Sequence, residues 1–144
     1  MIIIKRDIII NSSPKKIWDV FCDIEKWPQL TSFISKAYWN NDKKWTLDSS
    51  FTQVLVNIVP WKRVSKTKFK EIIPMKSVTW TGTGYLLVGV HTLKFKKIGN
   101  KTKVSNIEYF KGPLARFVTP LIKSKFEAYF EEFLKGLKRK VEYK

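Results

Sequence analysis

The 144-residue chain contains one histidine, His91, within the stretch GVHTLKF at 89–95. Leu93 and Phe95 follow it at two-residue steps, the spacing of one face of a β-strand. An imidazole changes charge near neutral pH, so it can serve as acid, base or orienting group for a ligand. Turn chemistry supplies its partner. Gly99-Asn100 suits a two-residue hairpin with glycine first. That turn sets Ile98 against Lys101, Phe95 against Val104, Leu93 against Asn106 and His91 against Glu108. One imidazole and one carboxyl thus face each other among core residues. Polar groups on an apolar face are costly unless they satisfy each other or meet water. A water-accessible cavity meets that demand better than a solid core. As a dyad they would transfer protons, with His91 as acid or base tuned by Glu108. No second histidine and no recognisable nucleophile accompanies them, so catalysis has thin support and a polar spot in a binding pocket has more.

The strands that carry the pair extend the same face backwards. A turn centred on Thr83-Gly84 sets Leu87 against Trp80 and Gly89 against Val78. One centred on Pro74-Met75 sets Trp80 against Phe69. Phe69, Val78, Trp80, Leu87, Gly89, His91, Glu108 and Phe110 then share the inner face, with Lys66, Lys68, Lys70, Thr79 and Thr81 outside. A one-residue slip would invert every assignment. The Gly82-Thr83-Gly84 segment is a candidate mobile rim.

The remaining elements follow from periodicity and caps. Residues 2–10 read as a β-branched strand. Ser13 can cap a helix with Pro14 at its first position and Ile17, Val20 and Phe21 on one face. The helix should stop near Asp23, and a second short turn leads to Trp27-Pro28. Strands are expected at 35–40, 49–58, 63–73, 76–82, 85–97 and 102–111, separated by turn residues. Gly112-Pro113 opens a helical segment. Thr119 and Pro120 read as cap and first residue of a second, over 120–140 and about 31 Å long. Phe126, Tyr129, Phe130 and Phe133 recur on its apolar face at three- and four-residue steps. The order is strand, two short helices, six strands, long helix. A single α+β domain over 1–144 accommodates it, with a curved antiparallel sheet wrapped around the terminal helix.

Composition sets bounds. Hydrophobic residues make up 44% of the chain and aromatics 15%, enough to build a core and to line a pocket. One cysteine, Cys22, excludes an internal disulfide and any multi-cysteine metal site. A buried core thiol is a simpler reading than a catalytic one. No cofactor and no metal are expected. Charged residues interrupt the N-terminal MIIIKRDIII, no run reaches the ~18 apolar residues of a membrane span, and a cytoplasmic location is expected. The net charge of +16 comes from 28 Lys and Arg against 12 Asp and Glu. It invites nucleic acid, anionic lipid or acidic partners. Four arginines among the 28 are few for specific base or phosphate recognition.

The stretches SSPKKIWDVFCDIEKWPQL and GVHTLKF, then KTKVSNIEYFKGPLARFVTPLI with its Glu108-x-Phe110-x-Gly112 pattern and the long helix, resemble the SRPBCC, or START-like, superfamily. The likeness is specifically to its polyketide cyclase/dehydrase and lipid-transport group, and it spans nearly the whole chain. It implies a helix-grip fold of seven antiparallel strands around the last helix, and a deep apolar cavity for lipids, polyketides or other hydrophobic molecules. It carries no universal catalytic residue. Three functions are therefore expected in competition. The first is a carrier or sensor that binds a small hydrophobic molecule between sheet and helix. Its wall would be Phe69, Val78, Trp80, Leu87, Gly89, His91, Glu108 and Phe110, with Phe126, Tyr129, Phe130 and Phe133. The second is a cyclase or dehydratase using His91 and Glu108. The third is a basic module whose outer face, bearing Lys66, Lys68, Lys70, Lys94, Lys96 and Lys103, meets RNA, ribosome or anionic membrane. Val88, Val90, Ile107 and Tyr109 would form an apolar patch on that outer face, which also admits a homodimer.

Overall fold

A computed structural model describes residues 2–59, 62–84 and 87–143. β1 (Ile3–Ile10) leads into α1 (Pro14–Phe21) and a 3-10 helix (Ile24–Gln29). Then come β2 (Ile34–Trp39), β3 (Phe51–Leu55), β4 (Arg63–Ile73), β5 (Ser77–Gly84), β6 (Leu87–Ile98), β7 (Lys101–Lys111) and α2 (Ala115–Glu142). The strands form one sheet in the order β1-β7-β6-β5-β4-β3-β2, every neighbouring pair antiparallel. The sheet curls around α2, which is the helix-grip architecture expected. Ser13 caps α1 by accepting from the Lys16 N–H, with Pro14 at the first position.

The β6–β7 hairpin has the register that Gly99-Asn100 implies, including His91 opposite Glu108. Gly99 takes a φ of +60°, a conformation that favours glycine. The β4–β5 pairing of Phe69 with Trp80 also holds, through two departures that cancel. The loop is one residue longer than expected, with Ile73 opposite Ser77. A bulge between Phe69 and Glu71 takes the extra residue back. The β5–β6 pairing differs. Strand β5 runs on through Thr83 to Gly84, which pairs with Leu87, so Trp80 faces His91 and Gly82 faces Gly89. Residues 85–86, which join the two strands, lie outside the described residues, and the expected rim at 82–84 is strand. The displacement is an even number of residues, so the inner face survives. Phe69, Val78, Trp80, Leu87, Gly89, His91, Glu108 and Phe110 are all buried, while Lys66, Lys68, Lys70, Lys94 and Lys96 are exposed.

α2 departs from expectation at its start. It is continuous from Ala115, not broken at Thr119-Pro120. The chain turns at Gly112, whose φ is +124°, and helical bonding begins with Phe117 and Val118 donating to the Leu114 carbonyl. Thr119 lies inside the helix, and its hydroxyl donates to the Ala115 carbonyl at 2.6 Å. Pro120 is close enough to the terminus that its missing N–H deprives only the Arg116 carbonyl of a partner.

α2 buries Ile122, Phe126, Tyr129, Phe130, Phe133, Leu134 and Leu137. Gly136 sits against the end of the 3-10 helix: a Cβ there would lie 2.1 Å from the Leu30 carbonyl oxygen. The rims are latched. Arg6 on β1 pairs with Glu131 at 2.8 Å and Glu127 at 3.2 Å. Glu132 accepts from the Thr31 hydroxyl and the Ser32 N–H. Aromatic rings fill the space between helix and sheet. Trp27 packs edge-on against Phe51 and Phe133 at 5.3 and 5.6 Å, and Trp18 against Phe95 at 5.7 Å.

Candidate functional site

Two glycines open a hollow in this aromatic interior. Gly82 and Gly89 are direct cross-strand partners on the inner face. A Cβ on Gly82 would lie 2.5 Å from the Ser65 hydroxyl oxygen, and one on Gly89 2.4 Å from a Glu108 carboxyl oxygen. Their missing side chains therefore hold the space that the polar groups occupy. Around it stand Gln53 and Leu55 of β3, Arg63 and Ser65 of β4, Trp80 of β5, His91 of β6, Glu108 of β7, and Phe126 and Tyr129 of α2. The free volume is about 20 Å³, room for one water molecule. A second void of about 10 Å³ lies beneath it, between Trp27, Trp80, His91, Asn106 and Phe133.

His91 is clamped. Its ring lies 4.6 Å from that of Trp80 and 5.1 Å from that of Phe130, and its Nε2 bonds to Asn106 Oδ1. An amide oxygen only accepts, so Nε2 carries the proton and Nδ1 is left as an acceptor. Nδ1 lies 3.6 Å from Glu108 Oε1. Burial pushes His91 down to about 4, although the Asn106 bond opposes this. Burial pushes Glu108 up to about 8, although the Arg63 charge opposes this. At neutral pH both are uncharged, and their proximity is a polar contact, not an ion pair. Burial also raises Tyr129, with the Glu108 charge adding to it. Gln53 Oε1 is buried and has no hydrogen-bond partner among the described residues. The hollow therefore offers a carboxylic acid that can donate and an amide oxygen that needs a donor. It suits a guest group able to do both, such as water or a hydroxyl.

Chemistry by His91 alone is poorly served here, since a base at about 4 with one nitrogen held by Asn106 is weak at neutral pH. Cys22 is pushed up to about 12, by burial first and then by Asp19, so it is a thiol and not a nucleophile. Among the described residues no three His, Cys, Asp or Glu side chains converge to hold a metal ion. No helix among them is long and apolar enough to cross a membrane.

Of the residues expected to line a cavity, Trp80, Gly89, His91, Glu108, Phe126 and Tyr129 border the hollow. Phe133 borders the lower void. Phe110 borders an open cleft of about 330 Å³ at the end of the grip, together with Ile2, Lys111, Gly112, Ala115, Arg116 and Thr119. Its ring packs on that of Phe126 at 5.2 Å, so the two rings stand between cleft and hollow. Phe69, Val78, Leu87 and Phe130 are core residues outside all three spaces; Phe69, for instance, packs on Trp45 and Phe51. Sequence reasoning missed Gln53, Arg63, Ser65 and Asn106. The signal for two of them was present. Counting back from Phe69 in twos, with Lys68 and Lys66 pointing the other way, reaches Ser65 and Arg63. On the outer face Val88, Ile107 and Tyr109 are half-buried and Val90 is 9% exposed. That patch is mostly closed by its neighbours, and Lys111 lies over the Tyr109 ring at 5.9 Å.

Comparison with known proteins agrees with this architecture. No curated protein matches the chain. Among solved structures, a hypothetical protein, jhp0584, from Helicobacter pylori superposes with a TM-score of 0.80 at 12% identity, covering 97% of this chain and 88% of that one. A START superfamily protein from Mycobacterium smegmatis gives 0.74 at 15% identity, covering 97% of each. The di-domain ARO/CYC protein BexL of the BE-7585A biosynthetic pathway gives 0.74 at 7% identity, covering 96% of this chain and 47% of that one. At such identities the likeness is one of fold. The family described as polyketide cyclase / dehydrase and lipid transport matches residues 1–142. With that match over nearly its whole length, on a sheet that grips its last helix, this chain belongs to the polyketide cyclase / dehydrase and lipid transport family.

Proposed function

We propose that the protein binds a small, largely apolar molecule bearing one hydroxyl or similar neutral polar group. The polar end lies in the Gly82–Gly89 hollow against Glu108 and Gln53, and the apolar body extends past Phe110 into the cleft. The observation that carries this reading is the hollow itself, a glycine-built gap with polar walls inside an aromatic core. An ordinary core would close such a gap, and a buried unpartnered Gln53 Oε1 costs stability until something donates to it. The hollow of about 20 Å³ is the closed form. Binding requires the Phe110 and Phe126 rings to part and join the hollow to the cleft. Apolar contact, at about 25 cal/mol per Å² buried, offsets that rearrangement.

Uptake of the neutral apolar dye N-phenyl-1-naphthylamine by the full chain tests this. Wild-type protein should enhance its fluorescence, and decanol should displace it. Gly89→Leu fills the hollow and should cut dye affinity at least tenfold while the circular dichroism spectrum is kept. Undiminished binding by a folded Gly89→Leu variant would exclude this site. A second reading, proton donation to a bound polyketide, is favoured by one feature: Glu108 is an acid still protonated near neutral pH. It uses the same hollow, with Glu108 alone as donor and His91 as a neutral neighbour.

A further inference from the structure

The start of α2 carries apolar side chains both inward and outward. Inward, Ile122 and Phe126 are buried, with Thr119 beside them. Outward, Leu114, Phe117 and Leu121 are 42%, 59% and 79% exposed. Their spacing of three and four residues places them in one stripe along the helix. Solvated helix faces carry charge, so a stripe of this kind marks a surface that meets something. Ile3, 56% exposed, lies at the same end of the molecule. It pairs with Tyr109 near the end of β7, beside the Ile2 that borders the cleft.

The charges around the stripe are of one sign. Residues 111–126 include Lys111, Arg116, Lys123 and Lys125, and no Asp or Glu. Arg116 lies over the Phe117 ring at 4.8 Å, and among the described residues only Lys123 of these four turns back to an acid, Glu127, at 3.1 Å. The first helical turn also carries no acid, so nothing offsets the positive end of the helix dipole.

We infer that this end of the protein docks on an anionic lipid bilayer, with Leu114, Phe117 and Leu121 among the acyl chains and Lys111, Arg116 and Lys125 at the headgroups. Two other occupants fit less well. A second copy would bring an identical cationic patch on a chain of net charge +16, and like charges would face each other. A nucleic acid would satisfy the cations but leave Phe117 and Leu121 in water. A bilayer satisfies both, since an anionic surface attracts each nearby cation and the apolar side chains anchor the contact among the acyl chains. The orientation presses the cleft against the membrane. The docking itself does not depend on what the hollow holds.

Vesicle co-sedimentation of the full chain is the test. Protein should pellet with vesicles of phosphatidylcholine mixed with phosphatidylglycerol, and much less with phosphatidylcholine alone. The double variant Phe117→Ser, Leu121→Ser should lower the partition coefficient at least tenfold. Both side chains are exposed, so the fold should persist, and an unchanged melting curve checks this. Lys94→Gln, Lys96→Gln, Lys103→Gln on the outer sheet face should lower it no more than about twofold. Negligible pelleting with both vesicle types overturns the inference. So does loss of binding in the sheet-face variant with binding kept in the helix variant. A wild-type dimer in light scattering that Leu121→Ser converts to monomer would assign the stripe to self-association instead.

Discussion

His91 and Glu108 leave water as neutral groups, and their shifts act on folding in opposite directions. Between pH 4.5 and 6.5 the unfolded histidine holds a proton that the folded one lacks, while the folded glutamic acid holds one that the unfolded one lacks. The two slopes cancel. Above 6.5 only Glu108 still differs between the states. Folded protein then binds more protons, so stability declines as pH rises to about 8. The slope is about 1.4 kcal/mol per pH unit, about 2 kcal/mol in total. The surface carboxylates with lowered values, such as Glu127 and Glu142, are ionised in both states there and add no slope. Glu108→Gln should abolish the alkaline decline and expose the histidine's contribution, a stability that rises from about pH 4 to 6.5 and then levels. Urea unfolding of both proteins across this range checks it. A wild-type curve that stays level to pH 8 would mean that Glu108 titrates as an ordinary surface carboxylate. The pairing was legible in sequence because Gly99-Asn100 fixes one register and the period of two does the rest. The neutrality of the pair was not, because it depends on how completely Trp80, Phe130 and α2 exclude water.

At the scale of elements, what was legible follows from parity, and what was missed follows from close approach. The inner face of β4, β5 and β6 survived a misplaced β5–β6 turn because the error was even. The Gly82–Gly89 pairing was lost to it, so a cavity beside His91 and Glu108 was expected without the two glycines that open it. The start of α2 was missed because Ser/Thr-Pro is a good opening signal even where a glycine corner has already begun the helix. Gly136 gave no signal at all, since a glycine in a helical run usually marks weakness. Here it marks contact: its Cα faces the Leu30 backbone, where a methyl group would overlap the carbonyl. Gly136→Ala should therefore destabilise by about 2–3 kcal/mol through displacement of the helix. This is the reverse of the ~1 kcal/mol gain that helix propensity alone predicts. Thermal melts of Gly136→Ala beside an exposed control such as Ser124→Ala separate the two. A stabilised Gly136→Ala would mean that the helix and the 3-10 segment stand farther apart than described.

Across the whole molecule, excess charge and a filled interior act on different observables. The high aromatic content suggested a lined cavity, but most of the rings pack on one another, and counting them cannot distinguish a lined pocket from a solid core. The core thus tolerates a surface that repels itself. Lys66, Lys68, Lys94 and Lys96 share the outer sheet face, where Asp7 and Glu71 are the acids set among the strands. Salt should relieve that repulsion within a Debye length of about 10 Å at 0.1 M. It should also weaken the rim pair Arg6–Glu131 and the Lys15–Asp19 pair within α1, but exposed pairs contribute about 1 kcal/mol or less each. Repulsion should win, and the melting temperature should rise by several degrees from low to physiological ionic strength. Vesicle binding should fall over the same range, because the bilayer charge is screened. Opposite signs in the two measurements would separate self-repulsion from attraction to lipid. A melting temperature that falls with salt would instead give the rim ion pairs the larger share in holding β1 to α2.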